Sequence, residues 1–252
     1  SVIVIDAPQQ PLAQSEVDMI KSFLNTGKGL IVMEDSIAQT TFNVTSDPLA
    51  DYLSSNWGLV LNPDLVVDLT SNTASVAIGD PNTASPITSG MNGLVTVFPV
   101  ARSVTGTEVS GITQTPLVNT ATQSWGETSL ENVNNTQVQF DEGLDNPGPL
   151  TLAMSAENSA TTSRVVVIGD ADFSVNGYIN AYGNNNLLVN SIDWTSGLGN
   201  LINLTPHETT TRVMATPKVY TRGLIFLITI IVLPGLVLVA GILVWIQRKK
   251  RG

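Results

Sequence analysis

One stretch limits this chain more than any other. LIFLITIIVLPGLVLVAGILVWI, residues 224–246, carries no charge over 23 positions. As an α-helix it would measure about 35 Å, enough to cross a hydrocarbon core of about 30 Å with some tilt. A helix in the core of a soluble domain is rarely so long and so apolar on every side. Pro234 and Gly235 in the middle are tolerated within a bilayer, where they mark a kink, and Thr229 can bond back to a carbonyl. Trp245 stands near one end, as interfacial aromatics do. The sequence therefore predicts a single transmembrane helix over 223–246. Arg248, Lys249, Lys250 and Arg251 follow it, whereas Lys218 and Arg222 are the basic residues just ahead. The positive-inside bias then predicts a cytoplasmic tail at 247–252, a stalk at 201–222 and an extracytoplasmic domain over 1–200, so that the chain is a single-pass protein of the plasma membrane.

Charge narrows the function classes. The chain has 11 basic and 21 acidic residues, and four of the bases lie in the tail. The remainder has seven bases against 21 acids, a net of −14. Such a surface repels nucleic acid and anionic lipid. There is no cysteine, so disulfides, thiolate zinc sites and cysteine nucleophiles are excluded. The chain opens on Ser1, and Val2–Ile5 already read as a buried strand, as expected of a fragment or a processed form.

Within the outer domain, VIVID (2–6) is an apolar run ending in an acid, with Pro8 and Pro11 marking a loop behind it. Residues 14–26 place Val17, Ile20 and Leu24 on one helical face with Met19 and Phe23 beside it, and Gly27 and Gly29 stop that helix. GLIVMED (29–35) is a second strand, so strand–helix–strand with a parallel crossover is expected. Ser46-Asp47-Pro48 starts another helix, ended by Gly58, and DLVVDL (64–69) is a further strand. Over 70–160 the composition shifts to Thr, Ser, Asn, Gly and Pro with short apolar runs, which predicts β-strands and long loops joined to the α/β layer, with 122–147 as a mobile loop. RVVVIGD (164–170) returns to the buried-strand pattern, and a helix at 184–196 turns Leu187, Leu188, Ile192 and Trp194 inward.

Ligands of open α/β sheets collect at the carboxyl ends of strands. Asp6, Glu34, Asp35, Asp170 and Asp172 all fall at such ends. They read either as a site for a cation or polar ligand, or as acids that cap the turns behind their strands. Asp170-Ala171-Asp172-Phe173-Ser174 only partly matches a metal-binding DxSxS pattern. His207 is the one histidine, lies in the expected stalk and has no second histidine at zinc spacing. No GxSxG occurs, and NTGKGL (25–30) lacks the spacing of a phosphate loop. Nothing pairs a nucleophile with a base, so the reading is non-catalytic, with no cofactor and no metal. Asn43, Asn134 and Asn203 head N-x-S/T triplets. Trp125 and Glu127, in SWGE, read as a partner contact or as a plug in the core.

Four stretches together carry a family likeness: 2–35, 47–68, TPLVNTATQSWGE (115–127) and RVVVIGDADFSVNGYINAYGNNNLLVNSIDW (164–194). In order and spacing they resemble the GldG-type auxiliary proteins of ABC-2 transporters, known from gliding motility, and the terminal span with its basic tail is similar too. Departures are Gly27-Lys28-Gly29 in place of Gly-Gly, Ala13 where a Ser or Thr cap is expected, and the absence of the family's N-terminal span and upstream region. The resemblance implies a flavodoxin-like layer akin to class I glutamine amidotransferases without the catalytic cysteine. It also implies two partners, an ABC-2 permease and, through it, a cytoplasmic ATPase. The expected function is thus a membrane-anchored accessory that binds or docks. The alternative is a cell-surface domain that binds polysaccharide or peptide and serves no transporter. Asn190 and Trp194 are expected to fix the last helix on the sheet.

Overall fold

The computed structural model describes residues 1–36, 47–129, 138–197 and 219–251. They fall into two compact units, Ser1–Pro206 and His207–Gly252. In the first, twelve strands follow in chain order: β1 (Val2–Asp6), β2 (Gly29–Met33), β3 (Leu59–Leu61), β4 (Leu65–Val67), β5 (Val76–Pro81), β6 (Thr96–Pro99), β7 (Val104–Gly106), β8 (Ile112–Asn119), β9 (Trp125–Glu127), β10 (Asn146–Pro147), β11 (Thr151–Asn158) and β12 (Arg164–Ile168). The main sheet has seven of them, in the order β1-β2-β12-β11-β8-β5-β6. β1, β2 and β12 are mutually parallel, and every other neighbouring pair is antiparallel. The main sheet is therefore mixed, with the β-rich stretch joined to the parallel layer. The strands of 70–160 extend the same sheet, because short connections such as 159–163 between β11 and β12 return the chain antiparallel.

The parallel half is built as its composition requires. All five residues of β2 are buried, which a strand covered on both faces needs. Leu30 and Val32 face one layer, and Ile31 and Met33 the other. On the first face lie Val17, Ile20 and Leu24 of α1 (Gln14–Leu24), with Leu49 of α2 (Pro48–Tyr52) and Leu53 and Trp57 from the π-helical turn that continues it. Burying a side chain such as Leu24 contributes about 2 kcal/mol. Met19 is exposed. Ala13 cannot cap α1 through its side chain, but Glu16 Oε2 accepts from its N–H at 2.8 Å. α2 is capped by Asp47, whose Oδ1 accepts from the N–H groups of Leu49 and Ala50. Asp47→Ala should therefore cost about 1 kcal/mol in urea unfolding. The π-turn ends on Gly58 at φ +64°, where a Cβ would lie 2.0 Å from the Thr107 carbonyl oxygen.

On the opposite face α3 (Asn184–Thr195) buries Asn184, Leu187, Ser191, Trp194 and Thr195. Ile192, expected inward, is exposed, because the buried stripe runs through the small Ser191 and Thr195 instead. Asn190 donates to the Ile87 carbonyl, and Arg164 of β12 donates to the Trp194 carbonyl while its guanidinium lies 4.9 Å from the Trp194 ring. Only the second of these ties α3 to a strand. Phe98 and Phe173 stack at 5.5 Å in the same layer. The DLVVDL strand lies outside the main sheet, since β4 pairs antiparallel with β9, and β9 with β10. The loop expected at 122–147 thus contributes two strands, and residues 130–137 lie outside the described ones.

The second unit is helical: α4 (Val219–Leu227), a π-helical turn at Ile228–Val232 and α5 (Leu233–Arg251). The stretch Ile228–Lys250 is long and apolar enough to cross a membrane, and none of it is buried. The wide turn sits where Pro234 lacks an N–H for the Ile230 carbonyl and would collide with it in a regular α-helix. Residues 198–218, most of the expected stalk, lie outside the described residues, as do His207, Asn43, Asn134 and Asn203.

Candidate functional site: the acidic ends of the parallel strands

In-register parallel pairing aligns Asp6 with Met33, and Met33 with Ile168. The residues just beyond β2 and β12 therefore emerge at one edge together with Asp6. Asp35 turns across to β12, where its Oδ1 accepts from the Ala171 N–H at 2.7 Å. Asp170 folds back on its own turn, its Oδ1 accepting from the Asp172 N–H at 2.8 Å. Both carboxylates thus brace the start of the short 3-10 turn Asp172–Ser174. Asp170 is fully buried, and its second oxygen has no hydrogen-bond partner.

Burial raises three of these acids. Burial pushes Asp170 well above the usual carboxylate range, and the charge of Asp35 adds to it. Burial also raises Asp35, against the pull of the Ala171 N–H and with repulsion from Asp172. Asp6 is raised by burial and by Asp172. The four carboxyl groups selected from the sequence are thus within electrostatic reach of one another. Among the described residues, however, no three acidic or imidazole side chains converge at metal-binding distances. The arrangement can hold protons, and the nearby Ser174 hydroxyl donates to the Ala171 carbonyl.

Glu34 leaves this group. It is buried against Arg102, with Nη1 to Oε1 at 2.7 Å. Arg102 Nε and Nη2 donate to the carbonyls of Asn62 and Leu61, while its backbone N–H bonds to the Gly169 carbonyl. Burial lifts the Glu34 carboxyl to about 7 even though Arg102 pulls it down. The sequence signal for Arg102 is a lone base inside an otherwise uncharged stretch, GLVTVFPVARSV (93–104).

Trp125 and Glu127 are both buried. Trp125 Nε1 donates to Glu127 Oε2 at 3.3 Å, Glu127 Oε1 accepts from the Ser129 N–H, and Phe140 meets the indole edge-on at 6.4 Å. Their positions are those a core plug occupies. Between them Gly126 faces Asp64, which the sequence reading passed over. Asp64 is fully buried, and its carboxylate accepts from Ser103 N, Ser103 Oγ and Asn146 Nδ2 at 2.8, 2.6 and 2.9 Å. A Cβ on Gly126 would lie 2.2 Å from Asp64 Oδ2. Gly126→Ala should therefore destabilise by about 2 kcal/mol, seen as a lower urea midpoint at unchanged slope.

Comparison with known proteins follows the same outline. No curated protein matches the chain. Among solved structures, the mmIFT52 N-terminal domain aligns with a TM-score of 0.54 at 15% identity, over 77% of this chain and 76% of that one. A Bacteroides uniformis protein described as thua-like aligns with a TM-score of 0.41 at 16% identity, over 77% and 68%. The first likeness concerns the fold alone. A family model described as an ABC-type uncharacterized transport system matches residues 1–191, across the main sheet and the acidic edge. The chain belongs to that family of auxiliary components of ABC-type transport systems.

Proposed function

We propose that this chain is the membrane-anchored, extracytoplasmic accessory subunit of an ABC-2 type transporter, close to the GldG-type proteins, and that it docks on the permease without catalysing a reaction. The observation that carries the reading is the pairing of a transport-family domain over 1–191 with an unburied apolar helix over 228–250. A single apolar helix forms no transport path by itself, so the reading assigns this domain a role in contact. The basic run after Trp245 supports a cytoplasmic C-terminus. In this reading the parallel strands β1, β2 and β12, with helices on both faces, are the flavodoxin-like element, as in class I glutamine amidotransferases. Asp170 and Asp35 brace the turn after β12, and with Asp6 and Asp172 they form the edge offered to a ligand or partner. Trp125 and Glu127 keep a nearby contact surface in shape.

The test is co-expression with the permease and ATPase encoded beside it, followed by solubilisation and affinity capture. Retention of both partners through washing is the expected result, together with digestion of the domain by protease added outside intact cells. Capture of neither partner, or protection of the domain, would overturn the reading.

A further inference from the structure

Ser103 and Asn146, the two residues that Asp64 holds in place, also line a cavity of about 320 Å³. It lies between β7, the β10 segment and β11, and shares no lining residue with the acidic edge. Its polar surface comes from Asn62, Ser103, Thr105, Asn146 and Thr151, and its apolar surface from Val104, Leu150, Met154 and two prolines. No ionisable side chain is among these lining residues, on a chain that carries 21 acids. Asp64, whose carboxylate bonds two of these residues, is fully buried with its oxygens already engaged.

Hydrogen-bond capacity left over inside the cavity shows what would satisfy it. Asn62 spends both amide hydrogens, on Ser103 Oγ at 2.8 Å and Thr105 Oγ1 at 2.7 Å. Its carbonyl oxygen is left as an acceptor. Asn146 spends one hydrogen on Asp64, which leaves one donor and the carbonyl acceptor. The Thr105 hydroxyl accepts from Asn62 and keeps its own proton to donate. A ligand here meets fixed carboxamide oxygens and hydroxyls beside an apolar wall. Groups that both donate and accept, mounted on a C–H face, complement that pattern, whereas a carboxylate or an ammonium finds no countercharge. The lining is also held in advance. A buried carboxylate is expensive to desolvate, and this one orients Ser103 and Asn146, so the polar atoms stay fixed without a ligand.

We propose that this cavity binds a neutral, hydroxyl-rich ligand, a saccharide unit, independently of whether the transporter docking proposed above holds. With no aromatic platform in the lining, the affinity for a single sugar is on the order of 1 mM.

The experiment uses the full chain in a non-glycosidic detergent, with saturation-transfer NMR on glucose, galactose, mannose and N-acetylglucosamine. Glycerol, glucuronate and an N-acetylated dipeptide amide serve as comparison ligands. The expected result is transfer to at least one neutral sugar above glycerol, and none to glucuronate. Thr105→Trp fills the mouth from an exposed strand position and should weaken sugar binding about tenfold or more at an unchanged melting temperature; Asn62→Leu removes the free carbonyl together with the bonds to Ser103 and Thr105 and should weaken binding as much in a chain that melts lower but still cooperatively. Transfer to no neutral sugar above glycerol overturns the proposal. So does equal transfer to glucuronate, preference for the dipeptide amide, or undiminished sugar binding in either folded variant.

Discussion

Arg102→Met is expected to cost the outer domain about 3–5 kcal/mol. The guanidinium satisfies three buried acceptors at once, Glu34 Oε1 and the carbonyls of Leu61 and Asn62, at 2.7–2.9 Å. Methionine matches much of its length and none of its donors. Glu34 is then left in an apolar interior, where its other oxygen already lacks a partner. It takes up a proton, which caps the electrostatic loss, but the two carbonyls remain unpaired. The effect extends beyond one contact, because the guanidinium connects the end of β2 with the β3 end and the residue after it, whereas the backbone N–H bond to Gly169 survives the substitution. Urea unfolding followed by tryptophan fluorescence reads the loss directly. Glu34→Leu combined with Arg102→Met should recover more than half of it, since an ion pair replaced whole by apolar groups is often neutral. A loss below about 1 kcal/mol in the single variant would mean that water reaches the pair, as at a surface bridge.

That Arg102 went unread in the sequence while its surroundings were legible marks the boundary of what pattern carries. Strands β1, β2 and β12 and helices α1 and α3 were readable to within a few residues, since burial on both faces or on one helical stripe leaves a local periodicity. The acids at the strand ends were readable for the same reason, as register follows once the strands are known to be parallel. The β-rich stretch was not. β5, β8 and β11 are recognisable as strands, but nothing local says that they extend the main sheet antiparallel, and β9 is three residues inside a polar run. Asp64 and Asn184 were missed because their value lies in partners far along the chain. Asn184 bonds both backbone groups of Val97 and the Phe173 carbonyl from within α3. Ile192 was misplaced because periodicity favours a large apolar residue, whereas close packing of α3 selected Ser191 and Thr195.

Acidification should stabilise the domain, contrary to the usual behaviour of folded carboxylates. Glu34 has its carboxyl raised from 4.5 to about 7. A group raised on folding binds its proton more tightly in the native state, so its contribution is fully present below the unfolded value and is lost as pH rises through the folded one. Between pH 4.5 and about 7 the native state therefore holds more protons than the unfolded chain, and stability falls as pH rises. Over that window Glu34 alone is worth about 3 kcal/mol, or roughly 10 °C in Tm. Asp170 is raised well above the usual carboxylate range, and Asp35 and Asp6 are shifted in the same direction. Net charge acts in this direction too, because protonation relieves repulsion across a body with seven bases and 21 acids. Salt separates the two causes. Surface repulsion is screened within about 10 Å at 0.1 M, whereas a carboxyl sealed beside Arg102 is screened little. Melting curves at pH 5 and pH 8, each at low and high salt, should keep most of the difference when salt is added. Glu34→Gln should then remove part of what remains, and Asp170→Asn, which retains the oxygen that accepts from the Asp172 N–H, a further part. A wild-type domain that melts higher at pH 8 than at pH 5 would place Glu34 and Asp170 as ordinary solvated carboxylates and remove the electrostatic basis assigned to the acidic edge.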